Sequence, residues 1–511
     1  MAGRVGYNRP SLFKPAWTPR VSLQTAPTDW IQLFNQGAVH FNAGRPAEAE
    51  ACFRAAAQAQ PKHPALHLNH GVALRILNRP EDALAAIRTA LQLDQNNAET
   101  LFHLASVLVE LRRPVEAIAA YRALTTIKPD FPDAFLGFGN LLMQTDNPEV
   151  AETTYRQAVV CDPSSAAATN NLGAAILSQG RPADAAPVYR RGIRLAPDSA
   201  EYHKNLGTCQ MMAGAYEEGT REYEWRVEQP VWKWKRSFPG KRPWDGSSLQ
   251  GKTILVHFEQ GLGDSFQYIR YMPVLQAMGA RVIFECQPIL KRVLSSAPGV
   301  DVLIGHGEPI PDFDCYVSLM SLMHWLGTTP DTVPGGVPYI HAELELKTRW
   351  RARMDLSEFR IGINWHGNET AKSIPLELFL PISRIPGVRL YSLQKVKGLD
   401  QLERLRGELP IIDWTSEMDV GSDAFIDTAA VMANMDLIVT CDTSVVHLAG
   451  AMGCSIIMPL KWFADWRWLR EREDCPWYPG MRIVRMARRN DWAGVMDCVT
   501  DHVRRLTDAR R

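Results

Sequence analysis

No apolar run in this sequence approaches the ~20 residues needed to cross a bilayer. Its most hydrophobic stretches, TILVHF and SIIMPL among them, are only strand-length. Neither sign of charge is in excess: 56 lysines and arginines meet 56 aspartates and glutamates, for a formal net charge of zero. That balance argues against bulk electrostatic attachment to nucleic acid or a membrane. Nine cysteines are scattered without a C-x-x-C pair, which argues against a disulfide framework or zinc-type ligand spacing and suits reduced thiols. No metal is expected. The first 28 residues are basic and proline-bearing but lack an apolar core, so no secretory signal is read there. The expectation is a soluble cytoplasmic protein, with 511 residues divided among two or three domains.

The chain does contain a repeat. Gly37, Gly71, Ala105, Gly139, Gly173 and Gly207 recur every 34 residues, and Ala49, Ala83, Ala117, Ala151, Ala185 and Gly219 keep the same period. Phe53, Ile87, Tyr121, Tyr155, Tyr189 and Tyr223 share a third phase. Pro61, Pro129, Pro163 and Pro197 close repeats, Gln95 being the exception. Small residues let the two helices of a repeat approach, and the larger ones wedge against the next. This is the tetratricopeptide signature, one helix-turn-helix per period, stacking into an α superhelix.

Six repeats are read over 29–228, behind a loose leader at 1–28. The last, GAYEEGTREYEWRVEQP, is charged and aromatic, as a terminal cap should be. A Trp-, Pro- and Gly-rich segment at 229–250 is expected to pack at the domain junction. Strands and helices then alternate through 251–345 and again through 346–511, which predicts two doubly wound α/β domains facing each other. In such folds a ligand sits at the carboxyl ends of the strands.

Three strand ends carry chemistry. The run LIVTCDTSVVHLAGAMG places Asp442, Thr443 and Ser444 between a buried strand and a helix, with His447 on the same helix face. Helix-terminal amides beside hydroxyls suit a diphosphate, and Asp442 suits sugar hydroxyls; the same three residues also serve as ordinary helix caps. In TILVHFEQGLGDSFQ, Gly261 and Gly263 permit a tight turn before Asp264. Asp264 would act as a general base, or form a capping box with Gln267. G-L-G-D is not the G-x-G-x-x-G fingerprint, so a nicotinamide cofactor is unsupported. In INWHGNETAKSIP, Lys372 would bring charge to a phosphate, with Asn368 or His366 beside it, although a solvated lysine reads equally well. Ser392 and Gln394 end a further strand, LYSLQ, where polar side chains would line a base pocket.

Taken in order, GLGD, WHGN followed by KSIPLELF, YSLQ and DTSVVHLAGAMG resemble the heptosyltransferase-like glycosyltransferases (family 9) of the GT-B fold, across roughly 250–490. EYEWR, RPWDG and the closing WRWLREREDCPWYPGMRIVR are similar to members that carry tetratricopeptide repeats. The resemblance implies two facing Rossmann-like domains, the first on the acceptor side and the second on the donor side. It also implies inverting, metal-independent transfer from a nucleotide-diphospho sugar, with no resident cofactor. Asp264 would be the base, Lys372 a phosphate contact, Asp442 a sugar contact, and Thr443, Ser444 and His447 part of the donor site. The chain has Ser444 where the lipopolysaccharide enzymes usually have glycine, so heptose is not implied.

Two residues before the repeat marker stand Asn35, Asn69, His103, Gly137, Asn171 and Asn205. Sharing one phase, they face one side of the superhelix. A row of asparagine amides would grip an extended peptide backbone, or would bond locally between repeats. The row resembles the asparagine ladder of O-linked N-acetylglucosamine transferase, a relationship that implies a protein acceptor. The expectation is a bacterial cytoplasmic enzyme that glycosylates a protein held by its repeats, a surface or flagellar protein by analogy. A scaffold with a degenerate transferase domain and a polysaccharide or lipopolysaccharide transferase are the alternatives. Trp462, Trp466, Trp468, Trp477 and Trp492 would form a packed cleft wall or an interface, which leaves room for an oligomer.

Overall fold

The computed structural model describes residues 29–229 and 236–510. The leader, Trp232 and Trp234 lie outside them. The chain forms two compact units, which meet at Ser199 and Ala200.

The first unit is five helix pairs, from Asp29–Asn42 and Pro46–Ala59 to Ala166–Ser178 and Pro182–Leu195. The second helix of every pair opens on proline, at 46, 80, 114, 148 and 182. There the missing N–H has no partner to lose and the ring presets φ. The period-34 phases take physical form in the packing. A methyl group on Gly37 would lie 2.7 Å from Phe53 Cε1, and one on Gly139 would lie 2.4 Å from Tyr155 Cε1. Each large side chain thus rests on the glycine of its own repeat. The first such cluster also reaches Leu66 and Ala73 of the next repeat.

The second unit begins with the sixth repeat, helices Ala200–Met212 and Tyr216–Tyr223 followed by a 3-10 turn, Glu224–Glu228. This differs from the boundary read at 228, and the reason is chemical: the charges and rings of EYEWR are buried against the α/β layers. Arg226 has no exposed surface and Tyr216 almost none.

Eleven strands follow in two parallel sheets. The first holds β1 (Arg242–Pro243), β2 (Thr253–His257), β3 (Arg281–Cys286), β4 (Val302–Gly305) and β5 (Cys315–Ser318), in the order β1-β5-β2-β3-β4. The second holds β6 (Phe359–Asn364), β7 (Val388–Ser392), β8 (Ile411–Ile412), β9 (Leu437–Thr440), β10 (Ile456–Leu460) and β11 (Met481–Arg485), in the order β11-β10-β9-β6-β7-β8. Strands β9 and β10 are buried throughout, as parallel strands covered on both faces must be. The described part of the junction segment belongs to the first sheet: β1 pairs with β5, and Trp244 is buried with its Nε1–H donating to Ser247 O at 2.8 Å.

PYI, read as a strand, is instead a buried crossing. Tyr339 N–H donates to Ala451 O at 2.9 Å, and Tyr339 Oη–H donates to Phe266 O at 2.9 Å. It ties the two halves of the α/β region on one side. Among the described residues no helix is long and apolar enough to cross a membrane.

Candidate functional site

The second sheet reverses direction between β6 and β9, since the chain runs out through β7 and β8 and returns to lay β9, β10 and β11 on the other side. Such a switch point leaves a crevice outside the carboxyl ends of the two strands. Their last residues, Asn364 and Thr440, lie opposite each other. A cavity of about 580 Å³ opens there, inside the ~300–1,000 Å³ range of small-molecule sites. Gly261, Leu262, Gly263 and Asp264 of the first half supply the facing wall.

Asn364 fastens the strand ends together. Its Nδ2 donates to Gln394 Oε1 at 2.8 Å, and its Oδ1 accepts from Thr443 Oγ1 at 2.9 Å and Thr440 Oγ1 at 3.2 Å. Gln394 Oε1 also accepts the backbone N–H of Trp365 at 3.1 Å and of His366 at 2.9 Å. These bonds fix the WHGN loop. Gln394, read as a donor contact, lines the cavity but spends its amide oxygen on shaping it. Thr443 is the residue that caps the helix Ser444–Ala451, its Oγ1 accepting from Val445 N–H at 3.3 Å. Ser444 begins that helix, and Asp442 stands just before it.

Opposite charges meet around the cavity. Lys372 Nζ stands 2.8 Å from Asp442 Oδ2, a charge contact without hydrogen-bond alignment. Burial works against the Lys372 ammonium, but Asp442, with Asp465 and Glu369 beyond it, holds its pKa above the ordinary value. Lys461 Nζ lies 3.6 Å from Glu369 Oε2, and burial holds that ammonium below its ordinary value.

Across the cavity, Arg467 Nη2 donates to Asp264 Oδ1 at 2.6 Å, Nη1 to Asp465 Oδ1 at 3.0 Å and Nε to Gln267 Oε1 at 2.8 Å. Burial pushes the Asp264 carboxyl up, and Arg467 pulls it back without cancelling the rise. Burial pushes Asp465 up too, but there Arg467 and Lys372 win and hold it low. Of the two carboxylates on Arg467, Asp264 is therefore the better proton acceptor.

Asp264 also closes the turn. Gly261 N–H donates to Asp264 Oδ2 at 3.1 Å, and Asp264 N–H donates back to Gly261 O at 3.1 Å. The capping partner is thus Gly261 three residues earlier, rather than Gln267 three residues later. Gln267 instead serves Arg467.

His447 is wedged where the halves touch. Its Nδ1 is 2.9 Å from Tyr478 Oη, its ring stacks on Trp468 with centroids 5.4 Å apart, and Gly263 faces it. Burial first, and the Arg467 charge second, lower its pKa to about 3. It is a neutral spacer and brings no positive charge to a phosphate.

All ten residues read for the turn and donor site (Gly261, Gly263, Asp264, Asn368, Lys372, Gln394, Asp442, Thr443, Ser444 and His447) line this one cavity. Sequence reading missed Asn364, Asp465, Arg467 and Phe425, which line it too. A polar residue ending an apolar strand was the available signal for Asn364. For Arg467 it was the tryptophan-flanked WRW. Trp466, Trp468 and Trp477 are buried within this unit, so they form cleft wall.

The asparagine row divides. Asn35 is exposed, Asn69 Nδ2 donates to Ala65 O of its own helix at 2.8 Å, and Asn205 is buried. Asn171 is buried and donates to Asn140 Oδ1 at 2.9 Å, an oxygen that also accepts from Tyr155 Oη at 2.7 Å. At Gly137 the Tyr121 hydroxyl stands where a side chain would begin, 2.5 Å from an ideal Cβ. Local bonding therefore occupies Asn69 and Asn171, because each amide finds a partner within the packed helices.

Residues 34–98, 77–132, 136–200 and 177–223 match the tetratricopeptide repeat family. The N-terminal region is built of these repeats. Protein FlbA of Caulobacter vibrioides is 25% identical over 321 residues, 57% of this chain and 53% of FlbA. The chain thus spans about half the length of this curated relative. Among solved structures, YrrB, a TPR protein with an unusual peptide-binding site, is 20% identical with a TM-score of 0.32, over 35% of this chain and 93% of that one. The pilF protein of Pseudomonas aeruginosa is 16% identical with a TM-score of 0.35, over 39% of this chain and 98% of that one.

Proposed function

We propose that this protein is a glycosyltransferase of GT-B type that moves a sugar from a nucleotide-diphospho donor to a hydroxyl group, with a protein as acceptor and the repeats as its docking region. One observation carries the reading: the residues flagged at three separate strand ends converge on a single cavity at a topological switch point. In this reading Asp264 takes the acceptor proton as the acceptor oxygen attacks the anomeric carbon from the face opposite the diphosphate. The new C–O bond forms as the old one breaks, and the configuration inverts. Lys372 and the first amides of the Ser444 helix receive the charge on the departing diphosphate, so the scheme calls on no divalent ion.

One feature favours the scaffold alternative. Lys372, Lys461 and Arg467 each already face a carboxylate, so a diphosphate must compete for them. Thermal unfolding with a panel of nucleoside diphosphates and nucleotide sugars separates the two readings. A ligand at 100 times its Kd adds about 2.7 kcal/mol. A shift with one donor that is lost in Lys372→Met supports the transferase; no shift with any nucleotide, in folded protein, supports the scaffold.

A further inference from the structure

The first sheet has a crevice of its own, and the sixth repeat fills it. Its strand order reverses between β2 and β5, so the rule that locates the cavity in the second half marks the carboxyl ends of these two strands as well. Arg226 stands there, on the 3-10 turn that ends the repeat, with no exposed surface. Its Nε donates to Glu259 Oε2 at 3.0 Å, and its Nη2 donates to Glu259 Oε1 at 2.8 Å and to Ser321 Oγ at 2.8 Å. Met320 N–H donates to Glu259 Oε1 at 2.9 Å. A two-point pair of this kind fixes orientation as well as distance. Glu259 lies two residues before the Gly261–Asp264 turn, so Arg226 anchors the root of the segment that carries Asp264.

The same repeat backs the other partner of the ion pair. Tyr216 and Tyr223 meet Trp466 edge-on, with ring centroids 5.8 and 6.3 Å away. Trp466 sits between Asp465 and Arg467 in the chain, and the Arg467 guanidinium lies 4.7 Å from its ring centroid. Both ends of the Asp264–Arg467 contact are therefore supported from one element.

We propose that the sixth repeat is a working part of the site. Arg226, Tyr216 and Tyr223 are positioning residues that hold Asp264 and Arg467 in register, and the cavity's hold on a nucleoside diphosphate depends on how this repeat is seated. The ligand in this statement rests on the transferase reading; the geometry does not.

The test uses the full-length chain carrying Arg226→Met with Glu259→Met, which removes both charges together and so leaves neither buried alone. Arg226→Lys, which keeps the charge but not the two-point contact, is the second variant. Amide hydrogen exchange should rise about tenfold in the segments around 261–268 and 465–469 and stay unchanged in β6, β9 and β10, a local opening of the kind native-state exchange resolves. Affinity for uridine, guanosine or adenosine diphosphate, read by thermal shift across pH 5 to 8, should fall about tenfold with a displaced pH profile, and Arg226→Lys should recover part of both.

Unchanged exchange in both segments overturns the proposal, and so does a uniform rise across the whole unit, which would report general destabilisation. Unaltered nucleotide affinity and pH profile in the double variant overturn it too. If the wild-type chain binds no nucleotide, the transferase reading falls, and the exchange arm alone still decides the positioning role.

Discussion

Gly263 and His447 belong to different halves of the α/β region, yet a methyl group on the glycine would lie 2.6 Å from His447 Cδ2. The imidazole has little room to yield, being held by Tyr478 and Trp468. Overpacking of this kind costs about 1–3 kcal/mol. Gly263→Ala should lower the midpoint of thermal unfolding accordingly and weaken any cavity ligand, because it pushes the Asp264 wall away from the Ser444 helix. An unchanged midpoint would mean that the halves separate easily at this point.

Acid should destabilise the α/β unit through its buried histidines. His447 is held at about 3 and His257 at about 4, each chiefly by burial, against an ordinary 6.5. Their folded pKa values are depressed, so below 6.5 the unfolded chain takes up protons that the folded chain refuses. Stability is thus lost as pH falls from about 6.5 towards 4. Two such groups give a slope of roughly 2.7 kcal/mol per pH unit near pH 5. Asp264, raised by burial, works in the opposite direction. Comparing unfolding midpoints of wild type and His447→Gln at pH 7 and pH 5 isolates the effect: the variant should lose less on acidification.

Asp264→Asn separates catalysis from binding. Asparagine retains an oxygen for the Gly261 N–H but cannot take a proton from an acceptor. Nucleotide affinity should stay within about threefold while transfer drops by ~10²–10⁴. A parallel loss of both would make Asp264 a binding or structural residue.

Lys372 and Asp442 should part company when ligands are compared. Lys372→Met removes a charge-assisted contact worth about 1.5–3 kcal/mol and should weaken nucleoside diphosphates and nucleotide sugars alike. Asp442→Asn should erode only the preference for the nucleotide sugar. Calorimetric titration of both ligands against both variants checks this, and equal losses for Asp442→Asn would remove its role as a sugar contact.

In the repeats, Asn35 and Asn171 should behave differently. Asn171→Leu leaves buried groups around Asn140 short of a donor and should cost about 1–3 kcal/mol. Asn35→Ala, on an exposed site, should stay within ~0.5 kcal/mol and affect only partner capture. Denaturant titration of each variant, followed by a binding assay on those that keep wild-type stability, distinguishes the two roles.

Much of the architecture was legible because it is written in local periodicity. The period-34 glycines and aromatics fixed the repeats, since each pair must meet inside one helical hairpin. Apolar runs ending in Asp442, Asn364 or the GLGD turn marked the strand ends, since a buried parallel strand must be apolar and its mouth need not be. The boundary at Ala200 was not legible. EYEWR reads as a polar cap until Glu259 is seen to accept Arg226.

The sequence by itself determined the repeat number, the alternation of strand and helix, and which strand ends carry polar groups, because these depend on residues near one another in the chain. Only the tertiary structure decided that Arg467 stands on Asp264, that His447 is a neutral spacer, that Asn171 spends its amide on Asn140, and that the sixth repeat belongs with the α/β unit. Those outcomes depend on partners far away in sequence and on burial, which sets both the strength of each charge contact and the protonation state of the groups that make it.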